Sequence, residues 1–460
     1  MIERRHDWLG KTPAAKRLVV IGLDCAPPAL AFDAFADDMP HLRGLRERGA
    51  WGPLESVIPP ITLPAWACAV TGRDPGELGI YGFHQPEDHG YGEPRLVDAT
   101  DLRHDTVWDL LSRAAEPVIV VGVPPSYPPR RVHGCLVSCF LAPGTSQPHT
   151  YPSALADEIA AVVGDYAFDV KDFRSADRSR LDSEIRAMTE QRFTLFRHLL
   201  AERPWTFAML VEIGLDRMHH AFWSCWDRDH PSYAAGGPHE HALRDYYRLL
   251  DHELGKLLGA LDDDTAVMVI SDHGAKRLHG GIAINEWLRQ QGYLTLHAAP
   301  TEPMPLRPEQ VDWSRTRAWA AGGYCGRLFL NLQGRQPAGT VPAAEREPVL
   351  ARLTEELSTL ADAQGRPLGT RVFRPEACYR ECRNIPPDLM VYFGNLDHRA
   401  VGSVGHGAVH LAGNDTGPDG ANHDTAGIFV ATAPGLTPQG NLAGLRLVDC
   451  AGVMLSLLGR

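Results

Sequence analysis

Acidic and imidazole side chains stand where several apolar runs of this sequence end. RLVVIGL is followed by an aspartate, AVMVIS by an aspartate and a histidine, and FAMLVEI by the segment GLDRMHHAFW; a histidine also precedes the late run GIFVA. The candidate residues are Asp24, Asp216, His220, Asp272, His273 and His423. Asp216 and His220 share a face if their segment is helical, because they are four residues apart. His219 is the alternative, at a less favourable helical spacing.

Carboxylate oxygens together with imidazole nitrogens suit zinc or a similar divalent ion. Six such ligands are too many for one tetrahedral ion. They suit two ions about 3.5–4 Å apart, a spacing that clamps the attacking and leaving oxygens in phosphoryl transfer. We expect two divalent ions, zinc first, with manganese and iron as alternatives. Alone, Asp272 and His273 would be a polar pair satisfied within a loop; the partner segments favour the metal interpretation.

A two-metal site also needs a nucleophile, and Thr62 is the candidate. It follows two prolines in VIPPITLPAWACAV and precedes an apolar helical run, so it stands where a helix N-cap would stand. The N-terminus of a helix attracts anions such as phosphate. A metal ion at the same point would lower the pKa of the hydroxyl and favour the alkoxide.

Apolar runs alternate with helical patterns along the chain, which predicts an α/β fold with a doubly wound, mostly parallel sheet flanked by helices. The runs read as parallel strands buried on both faces. They span residues 18–23, 118–123, 136–141, 207–213, 266–270 and 428–432. The clearest helical patterns span residues 181–200, 239–261, 345–360 and 445–458. In such sheets ligands bind beyond the carboxyl ends of the strands.

One region interrupts this rhythm. Residues 287–410 are rich in proline and carry weaker apolar runs, so we expect a cap inserted into a core formed by residues 15–286 and 411–460. Within the insertion, AWAAGGYCGRLFLNLQG predicts a glycine hinge followed by one strand.

Composition excludes several classes of protein. The chain has 460 residues and a formal net charge of -12, which disfavours a nucleic-acid or membrane-surface binder. No stretch is long and apolar enough for a membrane span, and the N-terminal segment lacks the apolar region of a signal peptide. Nine scattered cysteines without a CxxC pair predict a reduced, cytoplasmic protein. The expected partner is a small phosphorylated substrate; nothing indicates an oligomeric state.

Five segments carry a family resemblance. They are IGLDCAPP, PPITLPAWACAVTGRDPGELGIYGF, VEIGLDRMHHAFW, ISDHGAKRLHGGIAINEWL and GPDGANH. In this order they resemble the alkaline phosphatase superfamily. The most similar part of it is the type I phosphodiesterase/nucleotide pyrophosphatase branch, with its bacterial predicted phosphohydrolase or phosphomutase group. The resemblance implies an alkaline-phosphatase-like fold and makes Thr62 the covalent nucleophile.

The same resemblance divides the metal ligands into two sets. One ion would be held by Asp216, His220 and His423. The other would be held by Asp24, Asp272 and His273, with Thr62 also facing it. Substrate contacts are expected from Lys276, His279, Asn285 and Arg327, each of which has a surface or structural role as its alternative.

Two departures from the family patterns narrow the activity. Phe83 stands where nucleotide pyrophosphatases usually carry an asparagine, and Leu78 where a histidine is common, which weakens the case for a nucleotide substrate. Trp66 stands where a sulfatase needs arginine, which disfavours sulfatase activity. The preferred hypothesis is a two-metal phosphohydrolase that forms a phosphothreonine. The alternatives are a phosphomutase or phosphoryl transferase with the same intermediate, and a non-catalytic metal-binding homologue.

Overall fold

The computed structural model describes residues 7–10, 14–362 and 364–460. The N-terminal segment, for which the sequence predicts no signal peptide, lies partly outside the described residues. The strands are β1 (Arg17–Leu23), β2 (Ala50–Glu55), β3 (His84–Gln85), β4 (Arg95–Leu96), β5 (Val118–Val121), β6 (Gly134–Val137), β7 (Thr150–Tyr151), β8 (Phe207–Glu212), β9 (Thr265–Ile270), β10 (Gly274–Arg277), β11 (Gly280–Ala283), β12 (Ala318–Ala321), β13 (Gly326–Leu330), β14 (Arg371–Phe373), β15 (Leu389–Tyr392), β16 (His398–Val401), β17 (His410–Leu411), β18 (Ala421–Asp424), β19 (Ala426–Thr432), β20 (Gly440–Asn441) and β21 (Leu445–Arg446).

The described residues also form α-helices of very different length. They are α1 (Pro40–Arg48), α2 (Thr62–Thr71), α3 (Pro75–Leu78), α4 (Val107–Arg113), α5 (Leu155–Val163), α6 (Arg178–Glu202), α7 (Gly214–Trp226), α8 (Ala242–Leu258), α9 (Ile284–Gln290), α10 (Arg346–Ser358), α11 (Pro375–Cys378) and α12 (Cys450–Leu457). None of these helices combines the length and the apolar character that a membrane span requires.

The core is a ten-stranded sheet in the order β20-β2-β19-β9-β1-β8-β5-β6-β7, with β21 also paired to β2. Strand β1 is parallel to both of its neighbours, β8 and β9. All three strands are almost wholly apolar and buried, as a sheet covered on both faces requires. The predicted doubly wound, mostly parallel α/β fold is confirmed.

Two apolar clusters cover the two faces of this sheet. Helices α6, α7 and α8 pack against one another on one face, with α1 and α5 beside them. Helices α2, α4 and α12 pack on the other face. The carboxyl ends of β1, β8 and β9 therefore meet at one edge of the sheet, between the two helical layers.

Residues 282–409 form a third apolar cluster of their own. Its centre is a four-stranded antiparallel sheet in the order β12-β13-β15-β14, with α9 and α10 beside it. A small three-stranded sheet, β16-β11-β17, joins this part to the end of the core. This is the region in which the sequence predicts a cap.

Several local predictions are wrong in detail. The run at 428–432 lies in β19, which is antiparallel to both β2 and β9, because a run that is apolar on both faces carries no sign of strand direction. The strand expected after the glycine hinge is present as β13, and β12, which precedes the segment GGYC and pairs with β13, was not predicted. The pattern at 445–458 is helical only from Cys450 onward. Thr62 is the first residue of α2, and Ile61 is its N-cap.

The close approach of α2 to the sheet gives a stability prediction at Gly22 in β1. A Cβ added there would lie 2.8 Å from Cγ2 of Val211 and would also collide with the buried ring of Trp66. We expect Gly22→Ala to destabilise the fold by about 1–3 kcal/mol, because an overpacked core must shift side chains or backbone. Chemical denaturation would measure this change.

The matched control is Gly44→Ala, in the interior of α1. No atom lies within 4 Å of a Cβ added at Gly44. This substitution should stabilise the fold by about 0.5–1 kcal/mol, since alanine is the better helix former. Equal unfolding free energies for the two variants would contradict the packing described for α2.

Candidate active site

The six predicted ligands and Thr62 lie together at the edge where β1, β8 and β9 end. Asp24 follows β1 directly, and Asp272 and His273 come just after β9. Helix α7, which follows β8, carries Asp216 and His220 on one face. The other two members come from β18 and from the start of α2. All seven side chains are at most 3% exposed: Asp24, Thr62, Asp216, His220, Asp272, His273 and His423.

Three of these side chains form what we call the Asp216 cluster. Asp216 Oδ1 lies 3.3 Å from His220 Nε2 and 3.5 Å from His423 Nε2. For metal–ligand bonds of about 2.0–2.1 Å, two ligand atoms of a tetrahedral site are about 3.3–3.4 Å apart. Both distances from Asp216 therefore match an edge of a tetrahedral metal site, and the three ligand atoms lie within 4.8 Å of one another.

The other three form the Asp272 cluster. His273 Nε2 lies 3.2 Å from Asp272 Oδ2 and 3.7 Å from Asp24 Oδ1. Thr62 Oγ1 lies 3.3 Å from the same His273 nitrogen. The two clusters adjoin, because the rings of His273 and His423 stack with centroids 3.8 Å apart. Thr62 thus faces the Asp272 cluster.

Hydrogen bonds fix the tautomer of each imidazole. The Nδ1–H group of His220 donates to Asp419 (2.8 Å), that of His273 to the carbonyl of Gly274 (3.1 Å), and that of His423 to the carbonyl of Pro60 (2.7 Å). In all three rings Nδ1 is used in this way, and Nε2 is the nitrogen that remains to face a metal ion. Metal-binding histidines are commonly held in this way by a second partner.

Unpaired buried atoms provide a test of whether the residues fit metal ions. Within the described ranges, four buried ligand atoms have no hydrogen-bond partner, although buried polar atoms are normally satisfied. They are Asp24 Oδ1, Asp216 Oδ1, Asp272 Oδ2 and His423 Nε2. Each cluster contains two of these atoms, and all four are hydrogen-bond acceptors. The donor set therefore fits a divalent cation in each cluster.

The electrostatics of the site lead to the same conclusion. Burial, together with the neighbouring carboxylates, raises the pKa of Asp24 and of Asp272 well above the usual range. Burial lowers the pKa of His423 to about 4 and that of His273 well below its usual value, so both rings are neutral. Burial alone would also lower the pKa of His220, but Asp419 and Asp216 raise it to about 10. The neutral rings of His273 and His423 beside the crowded carboxylates are ready to bind a cation, and a cation bound by His220 would displace the proton from its Nε2.

Cys25 lies beside these ligands but does not act as one. Its sulfur could share a metal with His273 and His423. However, the thiol hydrogen-bonds to the carbonyl of Gly274, and burial raises its pKa well above the ordinary value. Its backbone has a φ of 68°, and its N–H donates to Asp272 Oδ1. Cys25 therefore shapes the turn after β1 and orients Asp272.

The sequence does not predict the residues that support His220. The side chain of Asp419 is buried, and besides His220 it binds Arg174 (2.9 Å) and Arg399 (2.9 Å). Although burial opposes it, His220 and the two guanidinium groups hold the pKa of Asp419 far below its usual value. Asp419 stands in the quoted segment GPDGANH, four residues before His423, and that spacing is the only signal in the sequence.

A second unpredicted residue comes from the cap. Tyr324 lies between β12 and β13, and its ring stacks on His423 with centroids 3.5 Å apart. Its hydroxyl lies 3.3 Å from His220 Nε2. No pattern in the sequence links the cap to α7 or β18, so only the folded structure brings these residues together.

Three of the four residues predicted to contact substrate bind other parts of the protein. Lys276 forms an ion pair with Asp397, and the amide of Asn285 binds the backbone of residues 320 and 402. Arg327 donates to the carbonyl of His84. His279 is exposed. None of the four hydrogen-bonds to a cluster ligand within the part of the chain that the structure describes.

Two neighbours of the predicted ligands on α7, His219 and Arg217, bind other side chains. His219 bonds through Nε2 to the hydroxyl of Tyr247 (3.1 Å), so His220 and not His219 lies in the Asp216 cluster. Arg217 pairs with Asp216 (2.6 Å) and with Asp169 (2.6 Å).

Comparisons with known proteins identify the family and the fold of this chain. The family model of type I phosphodiesterase / nucleotide pyrophosphatase matches residues 18–412. No curated protein sequence matches the chain. Among solved structures, phosphonoacetate hydrolase from Sinorhizobium meliloti 1021 in complex with phosphonoformate is similar, at 20% identity and a TM-score of 0.63 over 97% of each chain. Human ectonucleotide pyrophosphatase / phosphodiesterase 5 is similar at 13% identity and a TM-score of 0.55, over 96% of this chain and 95% of that one.

The same comparison extends to a ligand complex. An inactive variant of the murine ectonucleotide pyrophosphatase / phosphodiesterase 5, in complex with AMP, is similar at 13% identity and a TM-score of 0.53, over 96% of this chain and 95% of that one. At these identities the likeness shows the fold.

Asp419 gives the prediction that tests the ligand geometry. Asp419→Asn keeps the shape of the side chain but removes the charge that orients His220 and pairs with two arginines. We expect metal affinity to fall about 10- to 100-fold, the usual effect of removing such a partner. Competition with a chromogenic chelator would measure the affinity directly.

The control is Asp449→Asn, which breaks the ion pair of Asp449 with Arg446. That variant should bind metal like the wild type. Unchanged affinity in folded Asp419→Asn would show that Asp419 does not orient a ligand.

Proposed function

Because the chain belongs to the type I phosphodiesterase / nucleotide pyrophosphatase family, we propose that it hydrolyses a small phosphoester through a phosphothreonine on Thr62. That it is a phosphoric ester hydrolase follows from the family. The nucleophile, the ligand sets and the substrate are the proposal. One observation carries it: the Thr62 hydroxyl lies 3.3 Å from His273, beside two adjoining clusters of metal-binding side chains.

We assign one divalent ion to the Asp216 cluster and one to the Asp272 cluster, with Thr62 facing the latter. Zinc suits the mixture of carboxylates and imidazoles best, and manganese or iron would fit the same ligands. When bound, two such ions neutralise charge on the phosphoryl oxygens and lower the pKa of the Thr62 hydroxyl.

The protein's own residues prepare the attack. Thr62 is the first residue of α2, so the free N–H groups of the first turn attract the phosphoryl group to the hydroxyl. The oxygen of Thr62 forms a bond to phosphorus, and the ester bond to the alcohol breaks. Water then cleaves the phosphothreonine and restores the threonine. The hydrogen bonds made by Nδ1 hold the three histidine rings so that each Nε2 points away from the backbone carbonyls and Asp419.

The substrate is proposed to be small. Complexes with phosphonoformate and AMP among the similar structures fit this size. Transfer to a second hydroxyl would require that water be kept out, and the seven side chains of the site are at most 3% exposed. A phosphomutase or phosphoryl transferase is therefore the second candidate, and product analysis distinguishes it from a hydrolase. With nine free cysteines, we propose a reducing, cytoplasmic location.

The nucleophile is tested by Thr62→Ala. We expect at least about a 1,000-fold loss of kcat, because no other hydroxyl replaces the nucleophile, with unchanged metal content and thermal stability. Release of nitrophenol from mono- and bis-nitrophenyl phosphate would measure turnover. Thr71→Ala is the control, since Thr71 ends the same helix and bonds only within it and to Arg73.

Normal turnover by Thr62→Ala would sink the nucleophile assignment. Faster cleavage of the diester would identify a phosphodiesterase. Preference for the monoester would identify phosphatase or mutase chemistry. Removal of metal by a chelator should abolish both activities, and added zinc, manganese or iron should restore them.

A further inference from the structure

Tyr324 is the part of the cap that enters the site. It is 8% exposed, its ring lies flat on His423 at an angle of 20°, and its hydroxyl reaches His220 Nε2 at 3.3 Å. Arg174 NH2 donates to the same hydroxyl oxygen at 3.0 Å. The guanidinium of Arg399 lies 4.4 Å from the ring centroid on a cation–π contact. The phenol is therefore held from several sides at once.

These contacts determine where the phenol proton points. Arg174 can only donate, so it uses an acceptor position of the hydroxyl oxygen. The Nδ1–H of His220 is used by Asp419, so its Nε2 is the ring nitrogen that shares a hydrogen bond with the phenol O–H group. Once His220 Nε2 serves as a metal ligand, that O–H has no acceptor among the residues that the structure describes. It is then a free donor directed into the site.

The position of this donor is opposite the nucleophile. Thr62 contacts the Asp272 cluster, whereas Tyr324 contacts His220 and His423 of the Asp216 cluster. In an in-line displacement the attacking and leaving oxygens lie on opposite sides of phosphorus. An ester attacked by Thr62 therefore directs its leaving oxygen toward the Asp216 cluster and Tyr324.

We propose that the Tyr324 hydroxyl donates a hydrogen bond to the leaving oxygen of the phosphoester, an inference that rests on the proposed function. As the bond from Thr62 Oγ1 to phosphorus forms, the bond from phosphorus to the leaving oxygen breaks and its electron pair stays on that oxygen. The phenol keeps its proton and stabilises the growing negative charge. Arg174 strengthens the donor, because a hydrogen bond accepted by the phenol oxygen polarises its O–H.

The test is a series of phosphate esters whose leaving groups range from dinitrophenol to simple alcohols. Tyr324→Phe removes only the hydroxyl and keeps the ring on His423. For alcohols, which leave with a nearly full charge, we expect kcat/KM to fall about 100- to 1,000-fold, the size of effect seen for a single donor to a developing oxyanion. For dinitrophenol we expect a loss of less than about 3-fold, because little charge needs stabilisation. The plot of log kcat/KM against leaving-group pKa therefore becomes steeper.

Two further measurements separate this role from a structural one. Metal content and thermal unfolding of Tyr324→Phe should match those of the wild type. Tyr293→Phe removes another hydroxyl of the cap, one that bonds to Glu356, and should leave the slope unchanged.

An equal loss for every leaving group, no loss at all, or a loss that follows a lower metal content would overturn the role assigned to Tyr324. A wild-type protein that cleaves none of the esters would overturn the proposed function itself, and the role of Tyr324 with it. That failure is visible before any Tyr324 variant is made, so the two are distinguishable.

Discussion

The crowding of carboxylates in a buried space is the constraint on which this structure depends. Asp24, Asp216 and Asp272 are at most 1% exposed and lie within one site. An unpaired buried charge is strongly unfavourable, and three of one sign more so. Arg217 and His220 both pair with Asp216. The neutral imidazoles of His273 and His423 supply no charge to compensate Asp24 and Asp272. Divalent cations would supply it, and the other features of the molecule can be understood from that requirement.

The sheet brings the ligands together, and the surrounding elements fix their directions. Parallel pairing of β1 with β9 places Asp24 beside Asp272, while α7 carries its own Asp–His pair over the end of β8. The indole of Trp66 in α2 donates to Asp24 Oδ2 at 2.7 Å, which leaves Oδ1 turned to His273. The helix that begins with Thr62 thus positions both the proposed nucleophile and the side chain of Asp24. This double role explains why α2 packs so closely on β1.

The features that could be predicted from the sequence are those that leave a local or periodic pattern of residues. An apolar run that ends in an aspartate identifies a strand and its carboxyl end, and the spacing of Asp216 and His220 identifies a helical face. Asp419 and Tyr324 were missed, because their importance arises from partners 199 and 104 residues away in the chain. The antiparallel direction of β19 was missed for a related reason, since burial on both faces looks the same in either direction. Tertiary pairing, unlike periodicity, leaves no mark in a single sequence.

The cap contributes to the chemistry as well as to enclosure. Tyr324 contacts two of the predicted metal ligands, His220 and His423, and Arg399 binds the carboxylate that orients His220. The ring of Tyr324 therefore covers His423. Gly322 and Gly323 precede this tyrosine. Gly323 has a φ of 128°, a value that residues with a side chain rarely adopt. Since one side chain both covers His423 and contacts His220, the packing of residues 287–410 on the core and the shape of the site depend on the same contact.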